Sequence, residues 1–110
     1  MNHYIYLDDI RNDNHWFNVN LGHNEWCFHL CRNMDAVTTL IQAILYSGES
    51  ASFIMDFDHD LGENEPSGYD ICKWVVENQI PLVGFHIHSM NPVGVMNMRQ
   101  LLTHYGYKEI

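Results

Sequence analysis

The stretch His3-Tyr4-Ile5-Tyr6-Leu7-Asp8-Asp9 decides the fold. Five aromatic and aliphatic positions run straight into an acidic pair, which reads as a buried strand ending in two carboxylates. Working outward, the same unit recurs. Trp26 to Cys31 (WCFHLC), Ala51 to Phe57 (ASFIMDF) and Leu82 to His88 (LVGFHIH) read as further strands. Between and after them lie helices. Met34 to Tyr46 places Val37, Leu40, Ile41, Ile44 and Leu45 on one stripe, capped by Asn33 or Asp35 and stopped by Ser47-Gly48. Ser67-Gly68-Tyr69-Asp70 has the form of a capping box, and the stripe Ile71, Trp74, Val75 continues until Pro81 ends the helix. Asn91-Pro92 opens a last helix carrying Val95, Met98, Leu101, Leu102 and Tyr105 inward, before Gly106. Tyr107 to Ile110 adds a short edge strand. The polar, Asn-rich segment Arg11 to Glu25 shows no periodicity and reads as a long loop, a candidate lid as much as a surface connection pinned by Trp16 and Phe17.

Strands alternating with helices predict one α/β domain over residues 1–110, its parallel sheet of four or five strands covered on both faces. The 110 residues include 3 Trp, 6 Tyr and 5 Phe, and 46% are hydrophobic, enough for a core of its own. Five Lys and Arg face 14 Asp and Glu, for a formal charge of −9. That excess argues against grasping an extended nucleic-acid backbone or an anionic membrane, both of which draw on clustered basic residues. No apolar run reaches the length of a membrane span and no signal stretch opens the chain, so a cytoplasmic place is expected.

In parallel α/β sheets ligands bind outside the carboxyl ends of the strands. There the sequence sets Asp8-Asp9-Arg11, Arg32, Asp58-His59-Asp60 and His88-Ser89-Asn91. Carboxylates gathered at one edge repel unless compensated, and a hard divalent cation such as Mg²⁺ or Mn²⁺ resolves this with oxygen ligands and exchangeable waters. Asp8, Asp9 and Asp58 are the expected ligands, with Asp60 supporting. His59 and His88 exchange protons near neutral pH, which suits acid or base work at a phosphate ester. Ser89, Asn91 and the free N–H groups of the last helix form an anion seat, and Arg11 and Arg32 can clamp phosphate oxygens. Each has a plainer reading: solvated carboxylates capping turns, structural histidines, a surface ion pair of Arg11 with Asp13 or Asp9, and Arg32 as a helix-entry partner of Asp35. Asp56, inside the third strand, is either a further ligand or a buried, protonated or paired group.

The remaining candidates are weaker. Cys27, Cys31 and Cys72 are too few for a disulfide framework, and Cys27-x3-Cys31 misses the paired zinc spacing. His29 shares the strand face of the first two, but no fourth ligand matches, so the cysteines read as reduced core residues. His86 reads as packed, and His3, His15, His23, His29 and His104 have no spacing that assigns a role.

At these residues the chain resembles the receiver domain of bacterial response regulators, and more closely the cyclic-phosphate-processing receiver domains. The pieces are Leu7-Asp8-Asp9-Ile10-Arg11, Trp26 with Arg32 and Asp35-Ala36, Asp58-His59-Asp60-Leu61-Gly62, Gly68-Tyr69-Asp70 with Trp74, and His88-Ser89-x-Asn91-Pro92-x-Gly94 with Met98. The resemblance implies a receiver-like (flavodoxin-like) three-layer α/β/α sandwich. It makes Asp8 and Asp9 the acidic pair, Asp58 the phosphoacceptor position, Ser89 the hydroxyl after the fourth strand and Asp60 a metal-facing group. The chain departs from the pattern in three ways: no Lys follows a clear fifth strand, which counts against phosphorelay signalling, the first receiver helix is replaced by the loop Arg11 to Glu25, and histidines that ordinary receivers lack stand near Asp58 and at 88. The histidines beside Asp58 and at 88 favour hydrolysis. The expectation is a metal-dependent phosphodiesterase acting on the cyclic phosphate of a small nucleotide or an RNA end. The alternatives are a protein that binds a cyclic nucleotide without cleaving it and a stand-alone phosphoacceptor receiver.

Overall fold

The structure is a computed structural model that describes residues 1–12, 15–21 and 25–110. Its elements run β1 (Asn2–Leu7), α1 (His15–Asn20), β2 (Trp26–Cys31), α2 (Met34–Tyr46), β3 (Ser52–Phe57), α3 (Gly68–Glu77), β4 (Leu82–Ile87) and α4 (Pro92–His104). The four strands form one all-parallel sheet in the order β2-β1-β3-β4, a receiver-like flavodoxin fold. The chain winds outward from β1 in both directions, so the strand order reverses between β1 and β3. That reversal opens the crevice in which such sheets hold ligands.

Alternation along the strands divides the core. Ile5, Leu7, Cys31, Phe53, Met55, Phe57 and Phe85 pack with Val37 and Ile41 of α2, Ile71, Cys72 and Val75 of α3, and Met98 and Leu102 of α4. Three helices therefore cover one face. On the other, Tyr4, Tyr6 and Ile54 pack with Phe17 of α1. The helix starts follow the expected chemistry: Asn33 and Asn91 each accept from a backbone N–H of the first turn, and Ser67 and Asp70 form a reciprocal capping box. No helix among the described residues is long and apolar enough to cross a membrane.

Four expectations need correction. The segment Arg11 to Glu25 is not structureless: it holds the six-residue α1. Too short to be stable alone, that helix is held by tertiary contact, with the Phe17 ring 4.9 Å from Tyr4 and 5.2 Å from Phe28. The pairing of Arg11 with Asp13 and the residue His23 lie outside the described residues. Tyr107 to Ile110 is not an edge strand but a single bridge, Phe85 to Glu109, because Ile110 turns over Gly84 and a forked ion pair ties Glu109 to Arg99 of α4. Helix α3 ends at Glu77, ahead of Pro81, because Gln79 takes a left-handed backbone (φ 51°). Of the cysteines, Cys31 and Cys72 are buried but Cys27 is exposed, since β2 is an edge strand. Burial pushes the Cys31 thiol up to about 11 and raises that of Cys72 as well.

Candidate functional site

Asp8 ends β1 and Asp58 ends β3, so the two carboxylates flank the crevice at the reversal. Their backbones are pinned there: the Asp8 N–H donates to the Cys31 carbonyl and the Asp58 N–H to the Leu7 carbonyl. His88, just past β4, joins them, and one ligand atom from each of Asp8, Asp58 and His88 lies within 4.8 Å of the others. A cavity of about 240 Å³ opens over them, lined also by Asp9, Ile10, Arg11, Asp60, Ser89 and Met90.

His88 is held on three sides. Its Nδ1 lies 2.6 Å from Asp56 Oδ1, its Nε2 lies 2.9 Å from Asp8 Oδ2, and its ring stacks on Tyr6 at 4.5 Å. With a carboxylate oxygen at each nitrogen, the ring is placed to donate from both, an arrangement that favours the imidazolium. Burial opposes that charge, but the bonds and charges of Asp56 and then Asp8 outweigh it and raise the His88 pKa. Asp56 is therefore a paired group: its second oxygen accepts from the buried Tyr4 hydroxyl. Burial and then Asp56 hold that hydroxyl well above the usual phenol range.

The two cavity carboxylates are pushed in opposite directions. Burial alone would raise Asp8, but the N–H groups of Arg11 and Ile10, at 2.7 and 2.9 Å from Oδ1, together with His88, hold it below the usual range. Asp58 is raised, first by burial and then by the negative charge of Asp8, against the His59 N–H, His88 and the Ser89 hydroxyl. Asp58 therefore carries a net repulsion from Asp8, whose carboxylate form is favoured. Carboxylate oxygens crowded in this way could hold a hard divalent cation; Asp8 and Asp58 are brought together so, and Asp9 lines the same cavity without joining that close group.

The other expected residues divide. Arg11, Asp9, Asp60 and Ser89 line the cavity. The remaining three are placed differently. Arg32 turns to the loop after β1, donating to the carbonyls of Asp8 (3.3 Å) and Arg11 (2.9 Å) and to the Asn12 side chain. It clasps the segment that carries Arg11 rather than reaching the cavity. Asn91 spends its carbonyl on the Gly94 N–H as the cap of α4, and its amide faces the His59–Asp60 pair. His59 bonds Asp60 through Nδ1 at 2.9 Å and lies flat against α4, where a Cβ on Gly94 would come within 2.5 Å of its Cγ. Gly68 has a similar reason to be glycine: a Cβ there would lie 2.0 Å from the Asp58 carbonyl oxygen.

From the sequence, Tyr4 and Tyr6 gain no site role and Trp16 only that of a pin of the segment Arg11 to Glu25. Tyr6 and Trp16 line a second cavity of about 190 Å³ that shares Arg11 and His88 with the first, and Trp16 stacks on His86 at 4.9 Å. The available signal was parity, since Tyr4, Tyr6, Asp56 and His86 fall on one sheet face once the strand order is known. No curated protein and no solved structure matches the chain. The model of the cyclic-phosphate processing receiver domain matches residues 3–104, and the chain, a receiver-like domain with an acidic cavity at its β1–β3 crevice, belongs to that family.

Proposed function

We propose that this domain hydrolyses the cyclic phosphate of a small nucleotide or an RNA end, in the cytoplasm, with Mg²⁺ or Mn²⁺ seated on Asp8, Asp9 and Asp58. The observation that carries the reading is the crowding of Asp8 and Asp58 against His88 beneath a cavity that also presents Arg11. A divalent cation bound there supplies polarisation of the phosphoryl group and a more acidic water. The chain's own groups do the rest. Arg11 holds non-bridging phosphate oxygens with its forked donors, and Ser89 adds a hydroxyl. Hydrolysis adds water across one P–O ester bond, leaving a phosphomonoester and a free hydroxyl. The proton held at His88 Nε2 is the one available to the departing oxygen. His59 and Asn91 act by fixing Asp60, and Arg32 by fixing the loop of Arg11.

The test is release of phosphomonoester from a panel of 2′,3′-cyclic and 3′,5′-cyclic nucleotides with Mg²⁺ or Mn²⁺, against Asp58→Asn folded to the same extent. Turnover by the parent chain and its loss in the variant support the reading. No turnover across the panel overturns it. A second reading, binding without cleavage, is favoured by one observation: both His88 nitrogens are committed to carboxylates, and His59 lies off the cavity. A cyclic nucleotide that raises the melting temperature and is recovered intact decides for it. Phosphoacceptor signalling gains no support, because among the described residues no lysine lines the cavity and Lys73 pairs with Asp70 at 3.3 Å.

A further inference from the structure

At the opposite end of β1 and β2, far along the strands from the acidic cavity, three side chains without an expected role come together. His3 and Cys27 are register partners across the β1–β2 pair, and His29, two residues beyond Cys27, falls on the same face. His3 Nδ1 and His29 Nε2 are 2.9 Å apart, with the rings stacked at 5.1 Å. One ligand atom from each of His3, Cys27 and His29 lies within 4.8 Å of the others.

Two imidazole nitrogens that face each other at hydrogen-bond distance share one proton, so one lone pair already points into the cluster. The far side of His3 fixes which. Its Nε2 lies 3.4 Å from Glu49 Oε2. An imidazole that gives its outer N–H to a carboxylate turns the other nitrogen's lone pair inward, the arrangement that orients histidine in metal sites. Here that leaves Nδ1 facing His29 and Cys27. The accessibility is also suitable. His3 is buried at 4% exposure, which fixes one ligand rigidly, while Cys27 is exposed and His29 half-buried, which leaves a path for an ion and a water.

We propose that His3, Cys27 and His29 form a second cation site, selective for Zn²⁺ or a like borderline-soft divalent ion, with its fourth position open to water. Two imidazoles and a thiolate suit such an ion and not Mg²⁺, which prefers the oxygen donors of the other cavity. Binding releases the Cys27 thiol proton to solvent, and the proton that His29 Nε2 shares with His3 moves to His29 Nδ1, so that both rings bind as neutral imidazoles. The ion joins the central strand β1 to the edge strand β2, and Glu49 acts as a positioning residue through His3.

Co²⁺ titration of the whole chain tests this, because a cobalt–thiolate bond gives a charge-transfer absorption that carboxylate or imidazole ligation does not. The expected result is a band that saturates at one equivalent, is displaced by Zn²⁺, and survives excess Mg²⁺. It disappears in Cys27→Ser and persists in Asp58→Asn. Glu49→Gln keeps the band but weakens Zn²⁺ binding about 10- to 100-fold. Since His3 is buried and its replacement can impair folding, His29→Gln supplies the second variant and weakens Zn²⁺ at least as much. Absence of the band, or a band or Zn²⁺ affinity unchanged in Cys27→Ser or His29→Gln, overturns the proposal.

Discussion

Removing His88 tests the architecture of the acidic cavity most directly. In His88→Ala the carboxylates of Asp8 and Asp56, 3% and 2% exposed, lose the cation between them. Breaking a buried pair by deleting one partner costs about 3–5 kcal/mol, and loss of the ring stacked on Tyr6 adds about 1 kcal/mol. Against a total stability of about 5–15 kcal/mol for a domain of this kind, that is a large fraction. The effect also carries a pH signature. The folded His88 pKa is raised, so the folded state binds the extra proton and the stabilisation is complete below the ordinary imidazole value of 6.5. It is lost as pH rises through the raised value. The parent chain should therefore lose stability on the alkaline side of neutrality, while His88→Ala stays level there and the gap between them narrows. Urea unfolding from pH 6 to 9 measures both quantities. A gap below about 1 kcal/mol at pH 6, where the charged pair is complete, would refute the buried-imidazolium argument. So would a gap that holds constant across the range.

Three further substitutions probe the frame around the cavity. Gly94→Ala, which in an ordinary helix interior gains about 1 kcal/mol, should instead lower the urea midpoint, because its Cβ meets the His59 ring at 2.5 Å; a stabilised variant contradicts that packing. Arg32→Ala removes charge-assisted bonds to the Asp8 and Arg11 carbonyls, worth about 1.5–3 kcal/mol, so amide exchange at Ile10 and Arg11 should quicken at least about tenfold; unchanged protection there counts against the clasp. Asn91→Ala deletes the cap of α4 and should cost about 1 kcal/mol with no change in the denaturant slope; an unaltered midpoint means that the cap contributes nothing.

The parts of the site that were legible in the sequence are those fixed by strand ends. Asp8 and Asp58 follow apolar runs directly, and in a parallel sheet every such end meets one edge, so local pattern sufficed. The state of His88 was not legible, because it depends on Asp56 and Tyr4, which become its neighbours only through the strand order β1-β3-β4. Arg32 and Asn91 bond to backbone beside the cavity for a different reason. Each stands beside the start of an element, where free carbonyls and N–H groups compete for its side chain more closely than a distant phosphate does. Helix α1 had no periodicity to announce it, since its order comes from one ring, Phe17, buried among rings of β1 and β2. His3, Cys27 and His29 needed the register of the β1–β2 pair, which sequence spacing does not carry.

The acid excess takes on a different meaning at the cavity. Eight of the fourteen acids, Asp8, Asp9, Asp13, Asp56, Asp58, Asp60, Glu63 and Glu65, lie in or beside the two segments after β1 and β3. Among the described residues that line the cavity, four carboxylates stand against Arg11 and the His88 imidazolium. The lining is thus two charges negative, and a phosphate diester approaching it alone is repelled. The divalent ion of the proposed site would bring that balance to neutrality and so let Arg11 serve as the proposed anion clamp. On the proposed reading the order of events follows from the charges: cation first, cyclic phosphate second. Because the Asp58 pKa is raised, that proposed first step is expected to weaken toward lower pH, where protonation of Asp58 removes one negative charge and one ligand.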